Sequence, residues 1–215
     1  MFRNVLVLSC VLFLSFSSKA QDAQKAKDLL KEVSEKVKSY NNMIIKFNYT
    51  LEDNARNVRQ RTKGSVASKD DKYKLELLGT TRIFDGEKLY EIIPEDEEVN
   101  ISRYDPEQDN EFSPSKMFYF YEKGYAFEWD IAQSVEGRKI QYIKLKPEDK
   151  TLGVKEILLG IDTQTKHISK IIQIMQDQNK MIVDVTSFKT NQPLSENLFK
   201  FNKEKYKNYY INRLD

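Results

Sequence analysis

Cysteine, histidine, glycine and proline are all scarce in this chain. Its 215 residues include one Cys, one His, seven Gly and five Pro. A lone cysteine cannot form an intramolecular disulfide, and one cysteine with one histidine cannot build a classical zinc site. The few glycines contain no phosphate-binding loop. We therefore expect no disulfide framework, no metal, no cofactor and no nucleotide-dependent enzyme.

Catalytic candidates are equally few. His167 precedes an apolar run and is best interpreted as a solvated imidazole at the start of a strand. The acidic run 95–98 reads as a solvated hairpin tip. The alternating acids of 105–111 lack the glycine and the final glutamate of an EF-hand. A glycosidase carboxylate pair stays open on sequence alone, but we expect no enzyme.

The first twenty residues are typical of a secretory signal peptide. Arg3 is followed by an apolar run from Val5 to Phe16, and small residues stand at Ser18 and Ala20. About 20 apolar residues are needed to cross a bilayer as a helix, and this run is shorter. We predict cleavage after Ala20, export to the periplasm, and a mature domain of residues 21–215.

Charge is balanced once residues 1–20 are removed. The segment carries Arg3, Lys19 and Cys10, so the mature chain keeps 33 basic and 33 acidic side chains and no thiol. This balance gives no indication of nucleic-acid binding. Stability must come from a hydrophobic core, for which the remaining length suffices. We expect a soluble monomer.

The hydrophobic period changes near residue 41. Residues 21–40 place apolar side chains three and four positions apart, which predicts an amphipathic helix. From Met43 onward the period is two, and Asp85-Gly86 between apolar pairs indicates a hairpin. Strands are predicted at 43–51, 58–66, 73–77, 83–84, 89–90, 99–101, 125–131, 140–146, 155–162, 168–175 and 181–189.

A second helix is predicted within the meander of strands. Ser113 suits an N-cap and Pro114 a first helical turn, and the pattern runs through Met117 and Phe118 to Gly124. A curved antiparallel sheet with a helix inside it or across its mouth would bury this much apolar surface. The many aromatic residues permit an apolar cavity, although for any single one an ordinary core position is the simpler interpretation.

The order of several motifs resembles the LolA family of outer-membrane lipoprotein carriers. The sharpest is the hairpin Asp85-Gly86-Glu87-Lys88-Leu89-Tyr90. The segment 197–201 with Lys205-Tyr206 looks like the C-terminal end of LolA-like proteins of the Bacteroidetes type. The other motifs are 26–40, 43–47, 64–66, 72–75, Pro94 with Val99, and Ser113-Pro114.

The resemblance implies a fold, a cargo and partners. The fold would be mainly β with helices, an unclosed antiparallel β half-barrel with a helical lid. The protein would be a periplasmic chaperone that binds the acyl chains of lipoproteins and carries them from the inner to the outer membrane. Its partners would be a LolCDE-type ABC transporter and an outer-membrane acceptor. The alternative is a lipid- or lipoprotein-sensing binding protein of the same fold.

Strand alternation, within this family fold, gives a set of candidate cavity residues. We expect ten of them on strands and two on the lid. They are Ile45, Phe47, Tyr49, Tyr73, Leu75, Leu77, Tyr90, Ile92, Phe127 and Trp129, with Met117 and Phe118 on the lid.

Overall fold

The computed structural model describes residues 3–103 and 119–214, with side chains from Gln21 onward. One long helix, α1 (Arg3–Lys38), precedes a series of strands. Within the described residues, no helix is long and apolar enough to cross a membrane. Two compact units are distinguished, Met1–Val37 with Tyr121–Gln178 and Lys38–Phe120 with Asn179–Asp215. We call them the helix unit and the hairpin unit.

The hairpin unit contains eight strands joined mainly by antiparallel pairing. Their order across the sheet is β12-β6-β5-β4-β3-β2-β1-β11. The strands are β1 (Asn42–Asp53), β2 (Val58–Lys69), β3 (Lys72–Leu77), β4 (Thr80–Phe84), β5 (Lys88–Ile93), β6 (Glu98–Arg103), β11 (Lys180–Thr190) and β12 (Tyr210–Arg213).

The C-terminal part of the hairpin unit is fastened to these strands by polar contacts. Glu196, in the 3-10 helix Glu196–Phe199, forms ion pairs with Lys69 and Lys72 at the β2–β3 turn. Asn42 donates its side-chain amide to the carbonyl of Gln192 at 2.8 Å. A second 3-10 helix, Lys203–Tyr206, leads into β12.

The helix unit contains four antiparallel strands in the order β10-β9-β8-β7. They are β7 (Tyr125–Val135), β8 (Arg138–Pro147), β9 (Val154–Asp162) and β10 (Ile168–Met175). Facing pairs such as Ile143 with Leu159 are fully buried, which gives this unit its own core. A bulge in β7 is stabilised by the buried Gln141 amide, which donates to the carbonyl of Asp130 at 2.7 Å.

One face of α1 is buried in the way its sequence predicts. Ser34 lies on this face, and its hydroxyl is 3.0 Å from the Tyr121 hydroxyl. At the edge of the helix, Glu32 pairs with Lys166 at 2.6 Å. Both contacts lie within the helix unit. The buried apolar residues of α1 are Ala26, Leu29, Leu30, Val33 and Val37.

The predicted change from a helical to a strand period near residue 41 is confirmed, and every predicted strand is present. The predicted span 168–175 coincides with β10, and the acidic run after Pro94 is an exposed turn. β12 is an edge strand in the hairpin unit, and β7 is an edge strand in the helix unit. One strand lacked a sequence signal, because β12 has only four residues and pairs parallel with β6. The predicted helix from Ser113 lies mostly outside the described residues.

Candidate functional site

The first strands of the hairpin unit present a continuous apolar face. Ile45 pairs with Val66, Val66 with Leu75, and Tyr73 with Phe84. Residues directly opposite each other on neighbouring strands project from the same side of a sheet. All five of these residues, Tyr73 included, are buried. We call this side of β1–β4 the apolar face.

Burial decreases along β1 toward the β1–β2 hairpin. Ile45 is 1% exposed, Phe47 is 3% exposed, Tyr49 is half-buried and Leu51 is 38% exposed. All four lie on the apolar face because their numbers differ by two. Burial raises the pKa of the Tyr49 hydroxyl, so this ring is neutral at physiological pH. The apolar face is therefore accessible at the hairpin end and closed at the other.

A glycine allows the Phe47 ring to lie flat on the neighbouring strand. Gly64 is the partner of Phe47 in β2. A Cβ at Gly64 would lie 2.5 Å from two carbons of the Phe47 ring and 3.1 Å from Leu77 Cδ1. Phe47, Gly64 and Leu77 thus meet at one point of the apolar face. The predicted residues Ile45, Phe47, Tyr49, Tyr73, Leu75 and Leu77 share this face.

Tyr90 and Ile92 lie on the opposite side of the same strands. Tyr90 pairs with Ile83, whose partner in β3 is Lys74 rather than Tyr73 or Leu75. These two residues therefore do not share the apolar face with the residues predicted on β1 and β3. The reason is register: alternation within one strand fixes parity there, but the sequence does not show which parity its neighbour adopts.

This second side is covered by the C-terminal segment. Ile83, Ile92, Val99 and Ile101 form a buried cluster. The Phe201 ring stacks on Tyr90 with centroids 4.9 Å apart, and the Tyr206 and Tyr209 rings follow in the same row. We call the rings of Tyr90, Phe201, Tyr206 and Tyr209 the aromatic row. In this structure Tyr90 and Ile92 are part of a filled core.

The Tyr90 hydroxyl connects this core to the β4–β5 turn. It donates to Asp85 Oδ2 at 3.0 Å, while Asp85 Oδ1 accepts the amides of Glu87 and Lys88. Burial, followed by the bond to the Asp85 carboxylate, raises the pKa of Tyr90 to about 12. Burial alone would raise the pKa of Asp85, but these hydrogen bonds outweigh it and lower the pKa. The Asp-Gly motif thus has a structural role here.

The remaining predicted residues do not belong to β1–β4. Phe127 and Trp129 are half-buried in β7 of the helix unit, opposite the fully buried Leu145 and Ile143. Met117 and Phe118 lie outside the described residues.

A groove that sequence reasoning missed lies beside the tip of the β3–β4 hairpin. Its volume is about 750 Å³, and it is open to solvent. Of the predicted residues it contains only Phe47 and Leu77. Lysine and hydroxyl side chains account for much of its lining, so it differs from the expected apolar cavity. The other lining residues are Lys46, Asn48, Lys63, Gly64, Ser65, Glu76, Leu78, Gly79, Thr80, Thr81 and Thr186.

His167 lies just before β10 in the helix unit. It is half-buried, not solvated as the sequence suggested. Burial, together with the positive charge of Lys36, lowers the pKa of its imidazole. Among the described residues, no group of three or more His, Cys, Asp or Glu is placed to hold a metal ion.

Solved structures of several distant proteins are similar to this chain. A conserved protein from Thermus thermophilus superposes with a TM-score of 0.60 at 9% identity, over 88% of this chain and 99% of that one. A LolA superfamily protein from Nitrosomonas europaea has a TM-score of 0.46 at 11% identity, over 82% and 97%. The Mycobacterium tuberculosis lipoprotein LppX has a TM-score of 0.48 at 11% identity, over 79% of this chain and 98% of that one.

The sequence itself is matched by a family profile. No curated protein matches the chain significantly. The profile described as outer membrane lipoprotein carrier protein LolA matches residues 35–202, which is most of the chain. This span includes the apolar face, the Asp-Gly hairpin and Phe201 of the aromatic row. The fold predicted from the motif order, mainly β in an open LolA-like sheet, is confirmed, and the chain belongs to the LolA family.

Proposed function

We propose that this protein is a periplasmic carrier that binds the acyl chains of lipoproteins and transfers them from the inner to the outer membrane. The observation that carries the proposal is the apolar face, whose burial decreases from Ile45 to Leu51. A surface of this kind can receive an alkyl chain from its exposed end. Family membership over residues 35–202 supports the same cargo.

The energetics of an acyl chain require such a surface. Each buried methylene contributes about 0.8 kcal/mol, so a lipoprotein with several chains cannot cross an aqueous compartment unprotected. Apolar contacts lack the directional hydrogen bonds that would make release slow. We propose that a LolCDE-type ABC transporter loads the mature protein, residues 21–215, and that an outer-membrane acceptor unloads it. No enzymatic step is part of this function.

A release assay tests the proposal. Mature protein is incubated with inner-membrane vesicles that contain the transporter, ATP and a triacylated lipoprotein, and soluble lipoprotein is measured. We expect release that depends on the protein and on ATP. Failure to release lipoprotein, while an established carrier succeeds in the same vesicles, would contradict the proposal. Cargo that is released but then retained in the presence of acceptor membranes would favour the sensing alternative.

A matched pair of substitutions ties release to the apolar face. Tyr49→Lys puts a charge on the half-buried part of this face, where burying a cation is unfavourable. Tyr210→Lys makes the same change at a side chain that is 67% exposed in β12. We expect Tyr49→Lys to reduce release at least tenfold and Tyr210→Lys to leave it unchanged. Equal activity of the two variants would show that release does not depend on the apolar face.

A further inference from the structure

β2 extends well beyond its partner β3. The pairing of β2 with β3 runs from Ser65 to Lys69, whereas the pairing with β1 covers all of β2. Within the described part of the chain, Val58–Lys63 therefore has a strand on one side only. Alternate peptide groups of this segment face away from β1 with no strand to accept or donate hydrogen bonds. We call Val58–Lys63 the free edge.

The β3–β4 turn produces this free edge. Leu78 and Gly79 both have positive φ, 54° and 80°, which is the geometry of a tight two-residue hairpin turn. The hairpin thus reverses beside Gly64, and the open groove occupies the corner between them. Leu78 is 60% exposed at this corner. A bulky residue is uncommon in the left-handed region. An exposed leucine at this turn therefore adds nothing to the stability of the folded protein.

The free edge is positively charged on the side that also lines the groove. Every second residue along it is basic, namely Arg59, Arg61 and Lys63. Lys46 lies on the same side in the neighbouring strand β1, opposite Ser65. Arg59 pairs with Glu52 at 3.3 Å. Arg61, Lys63 and Lys46 form no ion pair with any described residue.

The nearby carboxylates do not cancel these charges. In the groove, Glu76 is held by Lys74 at 2.6 Å and by the Ser65 hydroxyl at 3.1 Å, and these contacts lower its pKa. Two further carboxylates lie on this side of the strands. Asp184 faces Asn48 from β11, and Glu52 is paired with Arg59. Three cations thus remain available to an anionic ligand along the free edge and groove.

We propose that the free edge binds an extended acidic peptide by strand addition, with the peptide end seated in the groove. The peptide backbone would pair with Val58–Lys63, and acidic side chains at every second position would meet Arg61 and Lys63. Leu78 supplies an apolar contact at the end of the groove. Arg61 and Lys63 project from the opposite side of β2 to the apolar face, so the charged contacts of the peptide use no side chain of that face. The groove itself shares Phe47 and Leu77 with the apolar face.

The experiment uses three eight-residue probes and the mature protein. The probes are a peptide of alternating glutamate and valine, the same peptide with alternate amides N-methylated, and a peptide of alternating lysine and valine. Binding is measured by fluorescence anisotropy, and amide hydrogen exchange maps the contact. We expect only the unmodified acidic peptide to bind, in a salt-dependent manner, and to slow exchange across residues 58–63.

Charge variants test the same site from the protein side. We expect the double variant Arg61→Glu with Lys63→Glu to weaken binding about tenfold or more, because two charge pairs are lost and replaced by repulsion. The matched control is Lys189→Glu with Lys200→Glu, two exposed lysines elsewhere in the hairpin unit, and should bind normally.

Several results would overturn the proposal. Equal binding of the N-methylated peptide would show that no strand is added. No change in exchange at residues 58–63, or no binding at all, would mean that the charges only protect an open edge from pairing. Self-association of the protein through residues 58–63, detected by sedimentation, would replace the peptide by a second copy of the chain. None of these results depends on lipoprotein release.

Discussion

The Phe47 ring lies across Gly64, and this contact leaves no space for a side chain on β2. Alanine at a strand glycine normally gains about 0.5–1 kcal/mol because the unfolded chain loses freedom. Here the added Cβ would lie 2.5 Å from the ring, and overpacking of this kind costs about 1–3 kcal/mol. We therefore expect Gly64→Ala to lower the free energy of unfolding, as measured by urea denaturation.

A double-mutant cycle separates this clash from a general effect of the substitution. In a Phe47→Leu background the ring is gone, so Gly64→Ala should be far less destabilising. A coupling of about 0.5–3 kcal/mol between the two sites is expected for residues in direct contact. Equal effects of Gly64→Ala in both backgrounds would contradict the close approach.

Asp85 makes stability depend on acid pH. Its pKa in the folded protein lies below the usual 3.8, since its hydrogen bonds favour the carboxylate. This contribution is complete above the unfolded value and is lost as pH falls through the lower native value. We expect Asp85→Asn to lose less stability than wild type between about pH 5 and pH 2. Urea midpoints across this range provide the measurement.

The matched control for this pH effect is Asp96→Asn in the β5–β6 turn. Asp96 is exposed, and none of the described side chains bonds its carboxylate. The urea midpoint of the Asp96→Asn variant should change with pH as that of the wild type does. If Asp85→Asn also follows the wild type, the hydrogen bonds around Asp85 do not contribute to acid stability.

At the scale of elements, the aromatic row holds the C-terminal segment on the sheet. Phe201 is stacked between Tyr90, at 4.9 Å, and Tyr206, at 5.6 Å. Truncation of a core phenylalanine costs about 3–5 kcal/mol, and a half-buried one should cost about half of that. We expect Phe201→Ala to destabilise the protein by about 2 kcal/mol and to accelerate amide exchange in Tyr210–Arg213.

Local exchange data distinguish this effect from general loosening. β1 and β2 should keep their protection at low denaturant, because the aromatic row packs on the buried cluster of β4, β5 and β6. Tyr210→Ala, at a side chain 67% exposed in the same strand, should change stability by less than about 0.5 kcal/mol. Uniform acceleration across all strands would show that the segment does not open separately.

Elements with strong periodicity were predictable, and elements defined by their partners were not. β10 and α1 follow from the sequence because β10 is an isoleucine-rich run, with Ile168 and Ile171 buried, and α1 buries apolar side chains spaced three and four residues apart. β12 is too short for a pattern, and it exists because residues 201–209 pack on the sheet and deliver Tyr210 to the edge of β6. The free edge of β2 arises from an early turn in its neighbour.

At the scale of the whole molecule, the N-terminal segment is the part that the sequence defines functionally. We predict that exported protein begins at Gln21. Intact mass and N-terminal sequencing of protein from the periplasmic fraction provide the measurement. Ala20→Leu should block processing, since the peptidase requires a small residue there, whereas Lys19→Gln should be processed normally. Unprocessed wild-type protein in the membrane fraction would instead indicate an anchor.

The sequence by itself determined the switch from helix to strand, most strand positions, the Asp-Gly hairpin and the family. These depend on periods and turn residues that act over a few positions. The tertiary structure decided the grouping of side chains: Tyr73 and Leu75 with Phe47, but Tyr90 and Ile92 beneath Phe201. Alternation within a strand shows only that the strand has two sides. Strand register assigns each residue to one side of the sheet, and bulges, turns and packing between distant segments set that register.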